Sequence, residues 1–396
     1  MADLPLMPLA GMNNVAEEAA LMRGGDSPAV FARDVVNINV SPAGKAMLRD
    51  CAHRVSTLKI RELWQSPLHR ESFGAVGDEW GKVGALSWSF DPMVSIGNGP
   101  VSHEVLNNLV CVAGDSGIFT YDGRTSQKLT IENPPAPLVI TGSGSMVAGM
   151  YGVSVAWLRG ATESAPSAIA FTDVPDEGGM QIILPMCLDD SVTGVRLYMT
   201  RQNGGELARV GDYQIDATTV DIPALPKLGA PPQFLNKSPM PTGKYLKYWR
   251  GRLLTSRANV LRFSESMAYH LHDERHGFVQ MPQRITFVEP VDGGIWIGQV
   301  DHVAFLEGAT PDELVMQRKT ACAPVAGSSI QVLADTIGGE LSQGGSATVL
   351  WLAENGYVAG TASGQVVEMQ TGVMKGITAE NGTSVVLDRR VLTAVT

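Results

Sequence analysis

The sequence predicts an all-β chain: a β-propeller interrupted once by an inserted immunoglobulin- or fibronectin-like β-sandwich. Three observations carry that expectation. The dominant period of hydrophobicity is two, as in Val36-Asn37-Ile38-Asn39-Val40, Ser87-Trp88-Ser89-Phe90, Val153-Ser154-Val155-Ala156-Trp157 and Val195-Arg196-Leu197-Tyr198-Met199, which puts alternate side chains on opposite faces of a strand. Glycine is abundant, 43 of 396 residues, without a collagen period, so turns are many and strands short. Finally, one phrase recurs: an apolar strand, a short polar turn and a second alternating strand, the sign of a hairpin.

At the amino terminus, Asn14–Met22 predicts a short helix capped by Asn13 or Asn14, with Glu17 and Glu18 in its first turn. The hairpin phrase follows at Leu109–Ala113 and Ile118–Tyr121 about Asp115-Ser116-Gly117, and at Arg252–Thr255 and Val260–Ser264 about Arg257-Ala258-Asn259. It returns at Gly294–Gly298 and His302–Gly308 about Gln299-Val300-Asp301, and at Gly356–Gly360 and Gln365–Met369 about Ala362-Ser363-Gly364. Ala258 and Asp301 lie 43 residues apart, one four-stranded propeller blade. The 142 residues from Ser116 to Ala258 reduce to about one blade if a module is inserted between Pro134 and Pro232; the 62 from Asp301 to Ser363 need a long loop. A generic mixed β fold is the alternative. Asn133-Pro134-Pro135-Ala136-Pro137 opens the insertion and Pro223–Pro226 with Ala230-Pro231-Pro232 closes it, stiff segments suited to joining domains. Between them, strands at Gly152–Leu158, Met180–Leu184, Gly194–Thr200 and Thr218–Ile222 suit a small sandwich. The expected organisation is an entry segment (1–50), first blades (51–135), the insertion (136–230) and the remaining blades (231–396).

Composition limits function. Thirty Lys and Arg against 40 Asp and Glu leave a net charge of −10, which argues against the phosphate backbone as a main ligand. Cys51, Cys111, Cys187 and Cys322 are widely spaced with no CxxC, so four buried free thiols in a reducing compartment are expected rather than a zinc ribbon or a disulfide scaffold. The proline-broken start is no secretory signal, and no apolar window is long enough to insert in a membrane, so a soluble protein made in the cytoplasm is expected.

Motifs that invite chemistry have plainer readings. Gly114-Asp115-Ser116-Gly117 resembles a serine-protease nucleophile loop, but the spacing to His53, His69 and His103 leaves no room for two barrels, and a hairpin turn explains it. His270 and His272 share a strand face and are the weak metal candidates; His270, His272 and His276 equally fit a solvated loop or an interface patch. Gly142–Gly149 lacks the lysine of a phosphate loop and reads as a flexible entry to the insertion. Lys244-Tyr245-Leu246-Lys247-Tyr248-Trp249-Arg250-Gly251-Arg252 interleaves bases with aromatics; the reading favoured over nucleic-acid grip is a strand with aromatics inward and Lys and Arg stems outward. Lys244, Lys247, Arg250 and His276 are therefore the interface candidates. No catalytic residue and no cofactor is expected.

Several stretches together resemble the β-propeller tail proteins of tailed bacteriophages, in particular the nozzle, tail-hub and head-completion type. They are Phe31–Gly44; Glu163-Ser164-Ala165-Pro166-Ser167 after Trp157; Val195–Thr200; and Tyr248-Trp249-Arg250-Gly251-Arg252-Leu253 followed by Leu261–Glu265. The sequence departs from the pattern at Arg250, commonly small and polar, and at Met199, commonly Arg. The resemblance implies a structural virion protein with no enzymatic activity, assembled in the host cytoplasm and resident in the tail. Its implied partners are copies of itself in a cyclic, six-fold ring and neighbouring portal, adaptor or tail-fibre proteins, with packaged DNA passing without specific binding. Two alternatives remain. A receptor- or glycan-binding module would gather Trp88, Trp296 and Trp351 on one exposed face; a propeller hydrolase would converge Asp115, Glu265 and Asp301.

Overall fold

The computed structural model describes residues 8–23, 29–41, 43–49, 53–68, 70–319, 321–333, 337, 341, 345–387 and 390–396. Cys51 and His69 lie outside them. The architecture is all-β, and the named helical elements are two short 3-10 turns, Glu18–Leu21 and Pro311–Glu313. The expected helix at Asn14–Met22 is thus a single turn. Asn13 spends its side chain on the preceding bend, where Oδ1 accepts from the backbone N–H of Val15 and of Ala16. A run this short cannot repay helix nucleation without a buried face, and it has no buried residue.

Five four-stranded antiparallel sheets dominate, each a simple meander. Sheet I comprises Arg61–Gln65, Ser72–Val76, Glu79–Val83 and Phe90–Ser95. Sheet II comprises Ser102–Leu106, Leu109–Gly114, Gly117–Tyr121 and Ser126–Lys128. Sheet III comprises Lys244–Trp249, Arg252–Arg257, Val260–Phe263 and Phe278–Gln280. Sheet IV comprises Ile285–Val291, Gly294–Gln299, Val303–Glu307 and Val315–Lys319. Sheet V comprises Ile330–Val332, Thr348–Ala353, Gly356–Gly360 and Val366–Glu368.

All four expected hairpins form. In sheets II, III and IV the phrase is the second and third strands, but in sheet V it is the third and fourth. The equivalent turn of sheet V is Glu354-Asn355, which brings the repeat from Asp301 to about 53 residues. The hairpin Ser72–Val76/Glu79–Val83 that founds sheet I had escaped the sequence reading. Ser87-Trp88-Ser89 is not strand: Trp88 takes a positive φ of 51° in the loop before Phe90.

Successive sheets are joined face to face by apolar cores. Phe73, Ala75 and Trp80 of sheet I meet Val110, Val112 and Tyr121 of sheet II. Cys111, Ala113 and Ile118 of sheet II meet Leu246 and Leu253 of sheet III. Trp249, Leu254 and Phe263 meet Val288, Ile295 and Ala304 of sheet IV, and Phe287, Trp296 and Phe305 meet Val349, Trp351 and Val358 of sheet V. Both faces of an interior sheet are therefore covered, which is why Gly294–Gln299 is buried at every position. Thr348–Ala353 of sheet V is buried throughout as well, its second face covered by a cluster of Val332, Leu350 and Ala359 with Ile337, Leu341 and Val391.

The inserted module is a pair of sheets, Leu138–Met146/Gly178–Ile183/Thr219–Ile222 and Gly149–Arg159/Gly194–Thr200/Leu207–Gln214 with Ala170–Val174 and Thr162–Glu163 on the edge of Gly149–Arg159. They close on one core that includes Met146, Val155, Trp157, Ile182, Leu197 and Val220. Gly142–Met146 is strand, not a flexible entry, and only Val147-Ala148 turns. The polar side of Gly149–Arg159 faces no water: Ser154 bonds Ser167, and Val155 N–H and Trp157 N–H donate to the hydroxyls of Ser167 and Ser164.

Two small sheets precede sheet I, Leu9–Met12/Met22–Arg23/Ala29–Ala32 and Ile38–Val40/Ala46–Leu48, and a hairpin, Gly382–Leu387/Arg390–Val395, ends the chain outside the five meanders. Asn14 ties the first to the segment after sheet V, exchanging bonds with the backbone of Lys375 (2.8 and 2.9 Å). Among the described cysteines Cys111 is buried and its thiol pushed up to about 12, chiefly by that burial; Cys187 and Cys322 are half-buried and free, not fully buried as expected.

Candidate functional site

The first strands of all five sheets, or the residues just beside them, line one cavity of about 680 Å³: Trp64 from sheet I, Glu104 from II, Lys247 from III, Glu289 from IV, and Ser329 and Gln331 at V. A series of contacts runs along it from sheet I to sheet V. Trp64 stacks on His103, 5.0 Å between ring centres. Glu104 accepts from the backbone N–H of Tyr248 (3.0 Å), joining sheets II and III. Lys247 Nζ pairs with Glu289 (2.8 Å), joining III and IV, and Ser329 Oγ donates to the other Glu289 oxygen (2.9 Å), joining IV and V.

Burial shapes the electrostatics. It holds the Glu104 carboxyl above the usual carboxylate range, against the pull of its bonds to Val105 and Tyr248. For Lys247 burial acts downward, but the Glu289 carboxylate outweighs it and the ammonium stays charged. Burial also drives His103 down to about 3, so its neutral ring accepts from Trp80 Nε1 (3.0 Å). Every carboxylate oxygen of Glu104 and Glu289 has a donor from this chain. This is a satisfied polar belt that fastens sheet to sheet.

The residues expected to matter are dispersed. His270 Nε2 meets the carbonyl of Glu163 (2.8 Å) and His272 Nδ1 that of Phe263 (2.9 Å); both are buried and held below the ordinary imidazole value by desolvation. Neither forms the solvated or titrating patch considered above, and among the described residues no cluster of three His, Cys, Asp or Glu could hold a metal. His276 is exposed. Of the interface candidates, Lys247 turns inward to the cavity because a bulge at positive-φ Tyr245 shifts the register between Lys244 and Lys247. Arg250 is exposed but donates to the carbonyl of Asp292, and Lys244 lines a groove between sheets II and III.

Ser116 Oγ donates to the carbonyl of Ser95 (2.8 Å), a hairpin anchor and not a nucleophile beside a base. Asp115, Glu265 and Asp301 have separate surroundings: the sheet II–III groove, the Lys237 ammonium and the His302 ring. Trp296 and Trp351 are fully buried, so no exposed face gathers the three tryptophans. Sequence reasoning missed Glu104 and Glu289, which carry no local signal.

A pH dependence follows. The folded-state values of His103, His270 and His272 lie below the unfolded value of about 6.5, so the stability they contribute is complete above that pH and is lost as acid protonates the unfolded chain. His103 alone should cost about 2 kcal/mol at pH 5, partly offset by Glu104, whose raised value works the other way. Urea midpoints at pH 7 and pH 5 check this: the midpoint should fall, and His103→Gln should flatten the fall.

No protein-family model matches the chain, and no curated protein matches it. Solved structures give weak likenesses. The computationally designed Ika8 protein is 13% identical over 86% of this chain and 94% of its own, with a TM-score of 0.27. The AfRom2 CNH domain is 11% identical over 86% and 91%, TM-score 0.28. BBS1N, solved in complex with ARL6DN, is 11% identical over 84% and 90%, TM-score 0.30. No helix is long and apolar enough to cross a membrane among the described residues.

Proposed function

We propose that the chain is a structural building block, a β-propeller of five blades carrying an immunoglobulin-like insertion, which forms part of a bacteriophage tail as a ring component sealing or extending the DNA exit channel. The observation that carries the reading is the convergence of five consecutive meander sheets on one polar cavity whose charged groups are all engaged in fastening sheet to sheet. Radial repetition leaves few free strand edges, which suits a rigid ring component. The insertion pairs Leu138–Met146 with Gly178–Ile183, and Gly149–Arg159 with Gly194–Thr200 and then Leu207–Gln214. That is the B–E and C–F–G pairing of an immunoglobulin sandwich. The A strand is missing, and the last strand, Thr219–Ile222, takes the D edge.

The phrases that resemble those of tail proteins occupy structural positions, which supports the reading. Glu163-Ser164-Ala165-Pro166-Ser167 builds the joint between insertion and blades: Glu163 is shared by Arg196 and Tyr198, and its carbonyl meets His270. Opposite it, Arg159 donates to the carbonyls of Lys128 (2.7 Å) and Thr130 (3.3 Å) and pairs with Asp189 (3.0 Å). Arg159→Ala should therefore cost about 2 kcal/mol, since hydrogen bonds to a charged group are each worth about 1.5–3 kcal/mol and part is regained by water. Calorimetry should show the insertion of the variant melting at a lower temperature than in the parent.

The net charge of −10 would keep DNA from adhering to a lumen. Mass spectrometry of intact particles together with native mass spectrometry of the purified chain tests the reading. A virion component that assembles with itself or with portal, adaptor or fibre proteins is expected; a chain absent from particles and monomeric at every concentration overturns it.

A further inference from the structure

The joint between the insertion and sheet II encloses a second cavity, of about 500 Å³, within the size range of small-molecule sites and at an inter-module position where such sites concentrate. Its charged lining groups are already neutralised within the chain. Lys128 pairs with Glu132, Arg159 with Asp189, and Arg196 with Glu163 and Asp212. No net charge is left over to draw an ion. Neutral donors and acceptors also line it: Asn107, Thr120, Gln127, Thr162 and Gln233, of which the Thr120 hydroxyl already donates to the Gln127 carbonyl (3.3 Å). Asn107, Gln127 and Gln233 are exposed and carry planar amides, which offer a donor and an acceptor side by side.

Two further features point the same way. Phe234 and Tyr269 supply aromatic surface at one side of the cavity, Phe234 held edge-on against His270 at 6.1 Å. Arg159, which lines the cavity, keeps a buried Nε–H without an acceptor among the described residues. A buried donor left unmade costs on the order of 1–3 kcal/mol, so an acceptor entering from the cavity is favoured.

We propose that this cavity binds a neutral, hydroxyl-rich ligand, a short saccharide, with the amides of Asn107, Gln127 and Gln233 taking its hydroxyls and the aromatic rings its C–H faces. Adjacent sugar hydroxyls match the donor–acceptor pairs of the amides, whereas an inorganic anion would meet Glu163 and a hydrophobic ligand would bury the amides unpaired. The proposal stands apart from the ring reading: either can fail while the other holds, because saccharide binding and particle incorporation are separate measurements.

The test uses the full chain, fluorescently labelled, on a printed array of bacterial and mammalian glycans, followed by calorimetric titration with the best-retained uncharged saccharide. The expected result is retention of at least one uncharged glycan, an affinity lowered at least tenfold in Gln127→Ala/Gln233→Ala, and an unchanged melting temperature for that exposed pair. Asn107→Ala should act in the same direction. The proposal is overturned if no uncharged glycan is retained, if the double variant binds the saccharide as well as the parent, or if only acidic glycans bind and salt abolishes their retention.

Discussion

Glu289→Ala should destabilise the protein by about 3 kcal/mol or more, because it leaves the Lys247 ammonium facing the cavity without its carboxylate. Glu289 is only 3% exposed, and its second oxygen also holds Ser329, so the substitution opens the belt at two joints. The pair is not itself expected to be a large net gain: much of the Coulombic attraction repays the burial of two charges. Lys247→Met alone should be similarly damaging, since it strands the carboxylate. The double substitution Lys247→Met/Glu289→Met should recover most of the loss, because it removes both charges and leaves volume for packing. Urea denaturation of the parent, Glu289→Met, Lys247→Met and the double variant completes the cycle. A Glu289→Ala protein within 1 kcal/mol of the parent would mean that the belt fastens nothing.

Trp296→Ala should cost about 3–5 kcal/mol, the range for emptying a large aromatic from a core. Trp296 has no exposed surface, lies 4.8 Å from Phe305 and 5.5 Å from Trp351 between ring centres, and donates Nε1–H to the Thr361 carbonyl (2.9 Å). Gly360 completes the fit: a Cβ there would stand 2.6 Å from the Trp296 ring and 2.8 Å from that of Trp351. The cavity would open between sheets IV and V, so hydrogen exchange should accelerate in Thr348–Gly360 before it does in sheets I and II. Uniform acceleration along the chain would contradict a stepwise stack of sheets.

How far the sequence discloses this molecule depends on the range of the interaction concerned. Hairpins depend on neighbours in sequence, and the turns at Asp115-Ser116 and Ala258-Asn259 were visible in their residue types. Sheet V was misaligned because Gly356–Gly360 alternates as well with its following strand as with its preceding one, so the hairpin phrase alone could not say which pair was central. The belt was invisible for a different reason. Glu104, Lys247 and Glu289 are brought together by sheet order alone, and the bulge at Tyr245 breaks the period of two on which the outward placement of Lys247 rested. The histidines misled similarly: the i, i+2 spacing of His270 and His272 is real, but each ring is committed to a backbone carbonyl, Glu163 for one and Phe263 for the other. Alternation at Val153–Trp157 promised a wet face, and the Ser164–Ser167 segment covers it instead.

The propeller proposed above makes a spatial claim: five meander sheets, in chain order, would radiate from the cavity lined by Trp64, Glu104, Lys247, Glu289 and Gln331. A single-particle reconstruction of the purified chain, at a resolution that separates strands, decides it. The account predicts five four-stranded sheets fanned about that hollow, with residues 138–222 as a two-sheet lobe beside sheet II. Density in which the first strands of sheets I and V lie far apart, or in which the sheets stack in a line with no common hollow, would contradict it.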